Sequence, residues 1–409
     1  MPMQLRRRTL GVRTLIGFIL CAALGVGAQP ALADGPPLKL GEFLDLTGGG
    51  ASAAEAARLG VDLAVQEINA AGGIAGRKVQ VVTADTQTDP TVGVGEMTRL
   101  VSQEKVDILF GPVISQVIMA ALPVVNAAKV PQMGATGSEL IVPKIAPYYF
   151  SLLINAQSQA SAVIAQAVQV LHAQSGAIIS DSGAQSQSFV ESMKKEMATR
   201  GMKLTGVQQY QYRATDMTPQ LLTLKRGNPD TLFLFASSGE DAGNVLKSLD
   251  DLGWNVKVTG NYTVATFAGA ALKVAGVDAF HAHDVTGINY KAFTYCDAKA
   301  LPKPFLDFVA KAKAFRPSDA ARLSLPFAAT FYDGVGLMKQ AIEASGGKTD
   351  GPVIAAWLEA HAGDYKGIIE DFAASAQSHF LVGPGALASV YPDRVVEGGL
   401  QQRYGCGGS

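Results

Sequence analysis

The sequence predicts an α/β fold of two doubly wound lobes. Three observations predict it. Apolar runs of strand length alternate with longer stretches whose apolar residues recur at helical spacing. The strand runs, such as the valine-rich 78–84, suit a parallel sheet covered by helices on both faces. The rhythm breaks near residue 155 and then restarts, which gives two separate β/α series.

The first series opens with a buried strand over 38–46. A helix over 51–71 follows, with Val61, Ala64, Val65 and Ile68 on one apolar face and Arg58, Asp62, Gln66 and Asn69 mostly opposite. Gly72 and Gly73 stop it, because glycine takes the left-handed cap conformation readily. A strand over 78–84, a helix over 92–103 and a strand over 106–110 come next. A helix over 115–129 and a short strand over 130–133 close the series. The second series places helices over 158–174, 189–200, 219–226 and 241–252. Its strands fall at 176–180, 202–210, 231–236 and 256–259. No Ser- or Pro-rich linker parts the series, so short direct crossings and a cleft that closes by hinge motion are expected. Residues 302–346 read as helix again and are expected to pack back on the first lobe. That return makes the lobes discontinuous: 36–155 plus about 288–370 for the first, and 156–287 plus about 371–406 for the second.

Composition narrows the function. The 409 residues carry 34 Lys and Arg against 35 Asp and Glu, a net charge of −1, so no nucleic-acid partner is expected. Hydrophobic residues make up 48%, which excludes global disorder. Three cysteines exclude a disulfide-dense scaffold and a Cys-rich zinc protein. Arg6, Arg7, Arg8 and Arg13 precede an apolar run over 15–28, and Ala31-Leu32-Ala33 forms a small-x-small cleavage pattern. Residues 1–33 are therefore expected to be a cleaved signal peptide, placing the mature chain in the periplasm. The run is roughly 14 residues, short of the ~20 that span a bilayer. Leu20 before Cys21 is not the small residue of a lipoprotein box. Export leaves Cys296 and Cys406, which could pair and tie the C-terminus to the body.

In open α/β sheets, ligands bind beyond the carboxyl ends of the strands. Three such ends are rich in small and hydroxyl residues: 111–115 (Gly-Pro-Val-Ile-Ser), 134–138 (Gly-Ala-Thr-Gly-Ser) and 236–239 (Ala-Ser-Ser-Gly). Backbone amides at a helix start, with a hydroxyl beside them, make a cradle for an anion such as a carboxylate. The plainer reading is that Ser115, Thr136 and Ser138 only cap turns. His281 and His283, two residues apart, are expected on one face of a strand, with no third metal ligand nearby. The glycines 48–50 lack the G-x-G-x-x-G spacing of a dinucleotide site, and no P-loop, H-E-x-x-H or G-x-S-x-G occurs. No metal, cofactor or catalytic set is expected, and the chain does not read as an enzyme.

The stretches LKLGEFLDLTG at 38–48 and GVDLAVQEINAAGGIAGR at 60–77 closely resemble the leucine/isoleucine/valine-binding protein family. DTQTDP at 85–90, Gly111-Pro112 and Gly134-Ala135-Thr136 continue the likeness. The resemblance implies a type I periplasmic-binding-protein fold: two Rossmann-like lobes, three hinge crossings and a solute trapped between them. It implies a monomeric receptor that delivers a small solute to an ABC permease in the inner membrane. By the same resemblance, Ser115 holds the ligand carboxylate, while Gly134, Ala135 and Thr136 hold the carboxylate and ammonium. The rest of the amino-acid signature departs. Tyrosines of the family correspond to Ala53, Gln185 and Ser238, and the acid that pairs with the ammonium corresponds to Tyr262, next to Asn261. These departures imply a carboxylate-bearing solute larger or less cationic than leucine, aromatic or amide-bearing, with Tyr262 stacking or donating its hydroxyl. Alternatively Asp181, Glu240 or Asp241 replaces the missing acid and the ligand is a branched-chain amino acid. A periplasmic sensor subunit that signals by the same closure is the other functional alternative.

Overall fold

The computed structural model describes residues 35–406, so the signal-peptide expectation and Cys21 lie outside the described residues. The first sheet unit runs β1 (Leu38–Leu44), α1 (Ala51–Ala70), β2 (Val79–Asp85), α2 (Pro90–Thr98), β3 (Ile108–Phe110), α3 (Ser115–Ala128), β4 (Gln132–Gly134) and β5 (Tyr149–Ser151). Its five strands are parallel in the order β2-β1-β3-β4-β5. Leu40, Phe43, Ile108, Leu109 and Phe110 are wholly buried, as a sheet covered on both faces requires.

The second unit runs α4 (Ala156–Gln169), β6 (Ser175–Asp181), α5 (Ala184–Thr199), β7 (Lys203–Tyr210), α6 (Thr218–Lys225), β8 (Thr231–Phe235), α7 (Gly239–Asp251) and β9 (Lys257–Gly260). Its four strands are parallel in the order β7-β6-β8-β9. Leu232 and Leu234 of β8 pack with Val245, Leu246 and Leu249 of α7 in a core of their own.

Three short helices follow: α8 (Tyr262–Thr266), α9 (Ala268–Ala275) and α10 (Val277–Ala282). After β10 (Gly287–Tyr290) and β11 (Thr294–Tyr295) come α11 (Lys303–Phe315), α12 (Pro317–Arg322), α13 (Leu325–Ala344) and α14 (Gly351–His361). The twenty-residue α13 lies along α1 of the first unit. Contact there is so close that a Cβ on Gly60 would fall 1.9 Å from the Ala328 carbonyl oxygen. Asp333 of α13 is buried, and its carboxylate accepts the Ile369 amide at 2.7 Å. β12 (Leu387–Val395) and β13 (Gln401–Arg403) complete a third, mixed sheet in the order β10-β12-β13-β11. Cys296, just past β11, is bonded to Cys406, just past β13, with Cα atoms 5.0 Å apart.

The structure corrects several expectations. The helix expected over 92–103 is regular only to Thr98; a wider π-type turn over Arg99–Glu104 finishes it. The helix expected from 189 begins at Ala184, which puts Gln185 in its first turn. His281 and His283 do not share a strand. His281 is in α10 and pairs with Asp393 at 3.0 Å. His283 caps α10, buried between the Val256 carbonyl at 3.2 Å and Asp250 at 3.0 Å. The two contacts of His283 hold its buried imidazole in place, while His281 stays largely exposed. No helix among the described residues is long and apolar enough to cross a membrane.

Candidate functional site

Strand order places the site. In the first sheet the order reverses between β1 and β3, and in the second between β6 and β8. The loops leaving these strand pairs diverge, and the crevice between them is where open α/β sheets take ligands. A small cavity lies where the two crevices face each other. Gly49, Gly50, Ser52 and Ala53 reach it from beyond β1, and Val113, Ile114, Ser115 and Gln116 from beyond β3. Gln185 reaches it from beyond β6, and Ser237 and Ser238 from beyond β8. Tyr262, Thr263 and Phe267 follow β9, while Leu153 and Phe327 complete the wall. The cavity is about 40 Å³; one water needs roughly 10–15 Å³ on this measure, so it has room for a few waters.

Asp45 organises the first half. Its buried carboxylate accepts the amides of Val113 at 2.8 Å and Ile114 at 3.2 Å and the Thr86 hydroxyl. This ties the end of β1 to the loop that opens α3. Burial pushes the Asp45 pKa up to about 6, against these three hydrogen bonds, which favour the charged form. Asp181 does the same in the second unit. It accepts the Gly183 amide at 2.8 Å, the Ser237 amide at 2.8 Å and the Ser186 hydroxyl, and burial raises its pKa.

Ser115 is the first residue of α3. Its hydroxyl lies 2.7 Å from that of Thr136 and reaches the Gln185 amide oxygen of the other unit at 3.5 Å. Gly134, Ala135 and Thr136 stand one layer behind the cavity wall. The Gly134 carbonyl accepts the Leu152 amide, the Ala135 amide goes to the Pro112 carbonyl, and the Thr136 amide goes to Ser151 Oγ. Of these three, Thr136 touches the site through Ser115. Ala53, Ser115, Gln185, Ser238 and Tyr262 all line the cavity.

Ser238 caps α7, accepting the Asp241 amide at 3.1 Å. The Tyr262 amide donates to Gln159 Oε1 at 3.3 Å, and its ring lies 4.8 Å from that of Tyr290. The Tyr290 hydroxyl accepts the Ile154 amide at 3.0 Å and donates to the Leu152 carbonyl at 3.2 Å, which fixes Leu153 between them at the wall. Tyr262 is 2% exposed, and its hydroxyl lies beside those of Thr266 and Thr330. Burial pushes its pKa up to about 12. Asp181, Glu240 and Asp241 do not line the cavity; Glu240 faces a wider neighbouring groove bounded by α9, α12 and the third sheet.

Sequence reasoning missed Gly49, Ser52, Gln116, Leu153, Thr263, Phe267 and Phe327. Gly49 carried a signal, since its triglycine loop follows the first strand. Phe327 carried none, because an apolar residue near a helix start reads as core.

Two units touch across this crevice. A Cβ at Gly49 would lie 2.6 Å from Tyr212 Cε1, and a Cβ at Gly183 would lie 2.9 Å from Gln116 Nε2. Ser324, which caps α13, donates to the Thr266 carbonyl at 2.9 Å. Two facing α/β units with a small cavity at both switch points define a cleft-type solute receptor. The family model described as periplasmic binding protein matches residues 37–394, and the chain belongs to that family. The proteins of this family and the similar solved structures are binding proteins, not enzymes. Leu/Ile/Val-binding protein homolog 7 of Brucella abortus (strain 2308) is 38% identical over 121 residues, which is 29% of this chain and 29% of that protein. The chain thus matches under a third of that relative's length. The branched-chain amino acid transporter substrate binding protein LivJ from Streptococcus pneumoniae, in complex with isoleucine, superimposes with a TM-score of 0.71 at 20% identity. That likeness covers 89% of this chain and 97% of LivJ. The solute binding protein of an ABC transporter from Rhodopseudomonas palustris BisB5, in complex with 3,4-dihydroxy benzoic acid, gives 0.71 at 20%, covering 87% and 92%.

Proposed function

We propose that this protein is the periplasmic solute receptor of an ABC importer, closing two lobes around a small carboxylate-bearing solute. The observation that carries the reading is the cavity itself: a space between two units, lined by loops from both switch points and facing the start of α3. The lobes are 36–155 with about 288–370, and 156–287 with about 371–406, although the start of that last stretch pairs with β5 of the first, where His379 and Leu381 bond to Ser151. The carboxylate sits at the start of α3, where amides unpaired within the helix and the Ser115 hydroxyl converge, and Thr136 orients that hydroxyl. Gly134 and Ala135 shape the support behind it. Gln185 and Ser238 complete the site from the second lobe, and Ala53 and Tyr262 line its walls. Isoleucine and 3,4-dihydroxy benzoic acid, held by the two similar structures, share a carboxylate, which supports this class of solute.

Binding and closure are one equilibrium. Solute docks on the first lobe in the open form, and contacts made only after closure favour the closed form. A permease then has a liganded shape to recognise. Residues 1–33 direct export and are removed, and the mature chain acts as a monomer. The test is small-angle scattering with thermal shift on mature protein across a panel of carboxylates. A bound acid should lower the radius of gyration and, at about 100 times its Kd, add about 2.7 kcal/mol of stability. A panel that changes neither refutes the reading.

A further inference from the structure

The cavity has an unusual electrostatic composition. Among the described residues that line it there is no Asp, Glu, Lys, Arg or His. Its polarity comes from hydroxyls and amides, and its field comes from helix starts. α1, α3, α5 and α13 each bring a residue of their first turn to the wall, and α7 brings its cap residue, Ser238. All five are thirteen residues or longer by their bounds, and the positive end of each dipole lies at the end that supplies the wall residue. Helix starts of this kind favour an anion and oppose a cation.

The acids nearby do not offset this. Asp45 spends its oxygens on Thr86, Val113 and Ile114. Asp181 spends its own on Gly183, Ser186 and Ser237. Asp241 accepts the Arg213 amide at 3.2 Å and lies behind Ser238. Burial raises the pKa of all three, so each also holds its proton more tightly than an exposed aspartate. An ammonium group in the cavity could find the amide oxygens of Gln116 or Gln185, but no ionised partner. Burying an unpaired charge is costly even where hydrogen bonds are available.

We infer that the cavity selects monocarboxylic acids that carry no ammonium group, because five helix starts and no ionised side chain face the solute. The carboxylate takes the positive end of α3, and an uncharged body lies against Leu153, Phe267 and Phe327 once the two units part enough to widen the few-water space between them. This rests on the carboxylate-receptor reading above and decides between its two ligand classes.

Matched pairs that differ only in the ammonium group test it: L-leucine against 4-methylpentanoate, and L-phenylalanine against 3-phenylpropanoate, titrated calorimetrically into mature protein freed of cargo. In every pair of which a member binds, the deaminated acid should bind more tightly, by on the order of 100-fold, or about 2.8 kcal/mol. Equal or tighter binding of the amino acid in either pair overturns the inference and leaves the receptor reading intact. If none of the four binds at millimolar concentration, the carboxylate reading fails and the inference falls with it. Gln185→Glu supplies the missing counter-charge and is the converse test. It should move the acid-to-amino-acid affinity ratio toward the amino acid by about tenfold or more, and an unchanged ratio overturns the inference.

Discussion

Gly49 is the position where one added methyl group should separate solute binding from folding. Its backbone is compatible with alanine, and it sits in the triglycine turn that leads into α1. A Cβ there would stand 2.6 Å from Tyr212 Cε1, 2.9 Å from Tyr212 Oη and 3.0 Å from Arg213 Cδ. Comfortable contacts are about 3.5–4.0 Å, so the two loops must part by about 1 Å. Tyr212 and Arg213 belong to the loop after β7 in the second unit, so the clash exists only while the units are together. Overpacking of this kind costs about 1–3 kcal/mol, which is a factor of roughly 5–150 in affinity when it falls on the closed form alone. Gly49→Ala should therefore weaken solute binding by that factor in calorimetry and leave the melting temperature of solute-free, open protein unchanged. Scattering should show the variant more expanded at equal solute concentration. Tyr212→Ala removes the obstacle, so Gly49→Ala in that background should cost less than threefold, well under 1 kcal/mol. Unchanged affinity in the single variant, or the same loss in both backgrounds, would refute the closure argument.

Three further outcomes are expected. Ser115→Ala removes a hydroxyl from a charged ligand and should raise Kd by about 10–100-fold; Thr136→Val should raise it less, since Thr136 acts by orienting Ser115. Titration calorimetry on both variants checks the order, and a larger loss at Thr136 contradicts it. For Asp333, burial raises the folded-state pKa from 3.8 to about 7. Between those values the folded chain holds a proton that the unfolded chain releases, so this contribution is complete below about pH 4 and is lost as pH rises toward 7. Asp333→Asn should flatten the stability profile in that window by up to about 1.4 kcal/mol per pH unit, read from urea midpoints; parallel profiles would contradict it. Cys296→Ser should cost about 2–4 kcal/mol in denaturant unfolding, with no equivalent loss when the wild-type bond is already reduced.

Much of the fold is written in local patterns. The apolar face of Val61, Ala64, Val65 and Ile68 marks α1, and those residues are buried. The valine-rich run at 78–84 marks β2 through its β-branched residues, although β2 is an edge strand on which Gln80 is exposed and only Val79 and Ala84 are buried. The third sheet left no such mark. Its strands are short, two of its three pairings are antiparallel, and the β12–β13 register shifts between Tyr391 and Val395. The site was legible where chemistry is local, as with Ser115 at a helix start. Phe267 and Phe327 were not, because nothing in either stretch shows that their rings, 5.1 Å apart, meet across an interface. The start of α5, with its run of Gln and Ser around Gln185, lacks an apolar periodicity, so its sequence predicts a helix only from 189.

The bond between Cys296 and Cys406 joins two ends of the same small sheet, whose strands precede and follow the returning helices α11 to α14. It is thus a buckle on the strap and does not fasten the jaws to each other. Reduced, the chain would keep both larger units and a strap with one loose end.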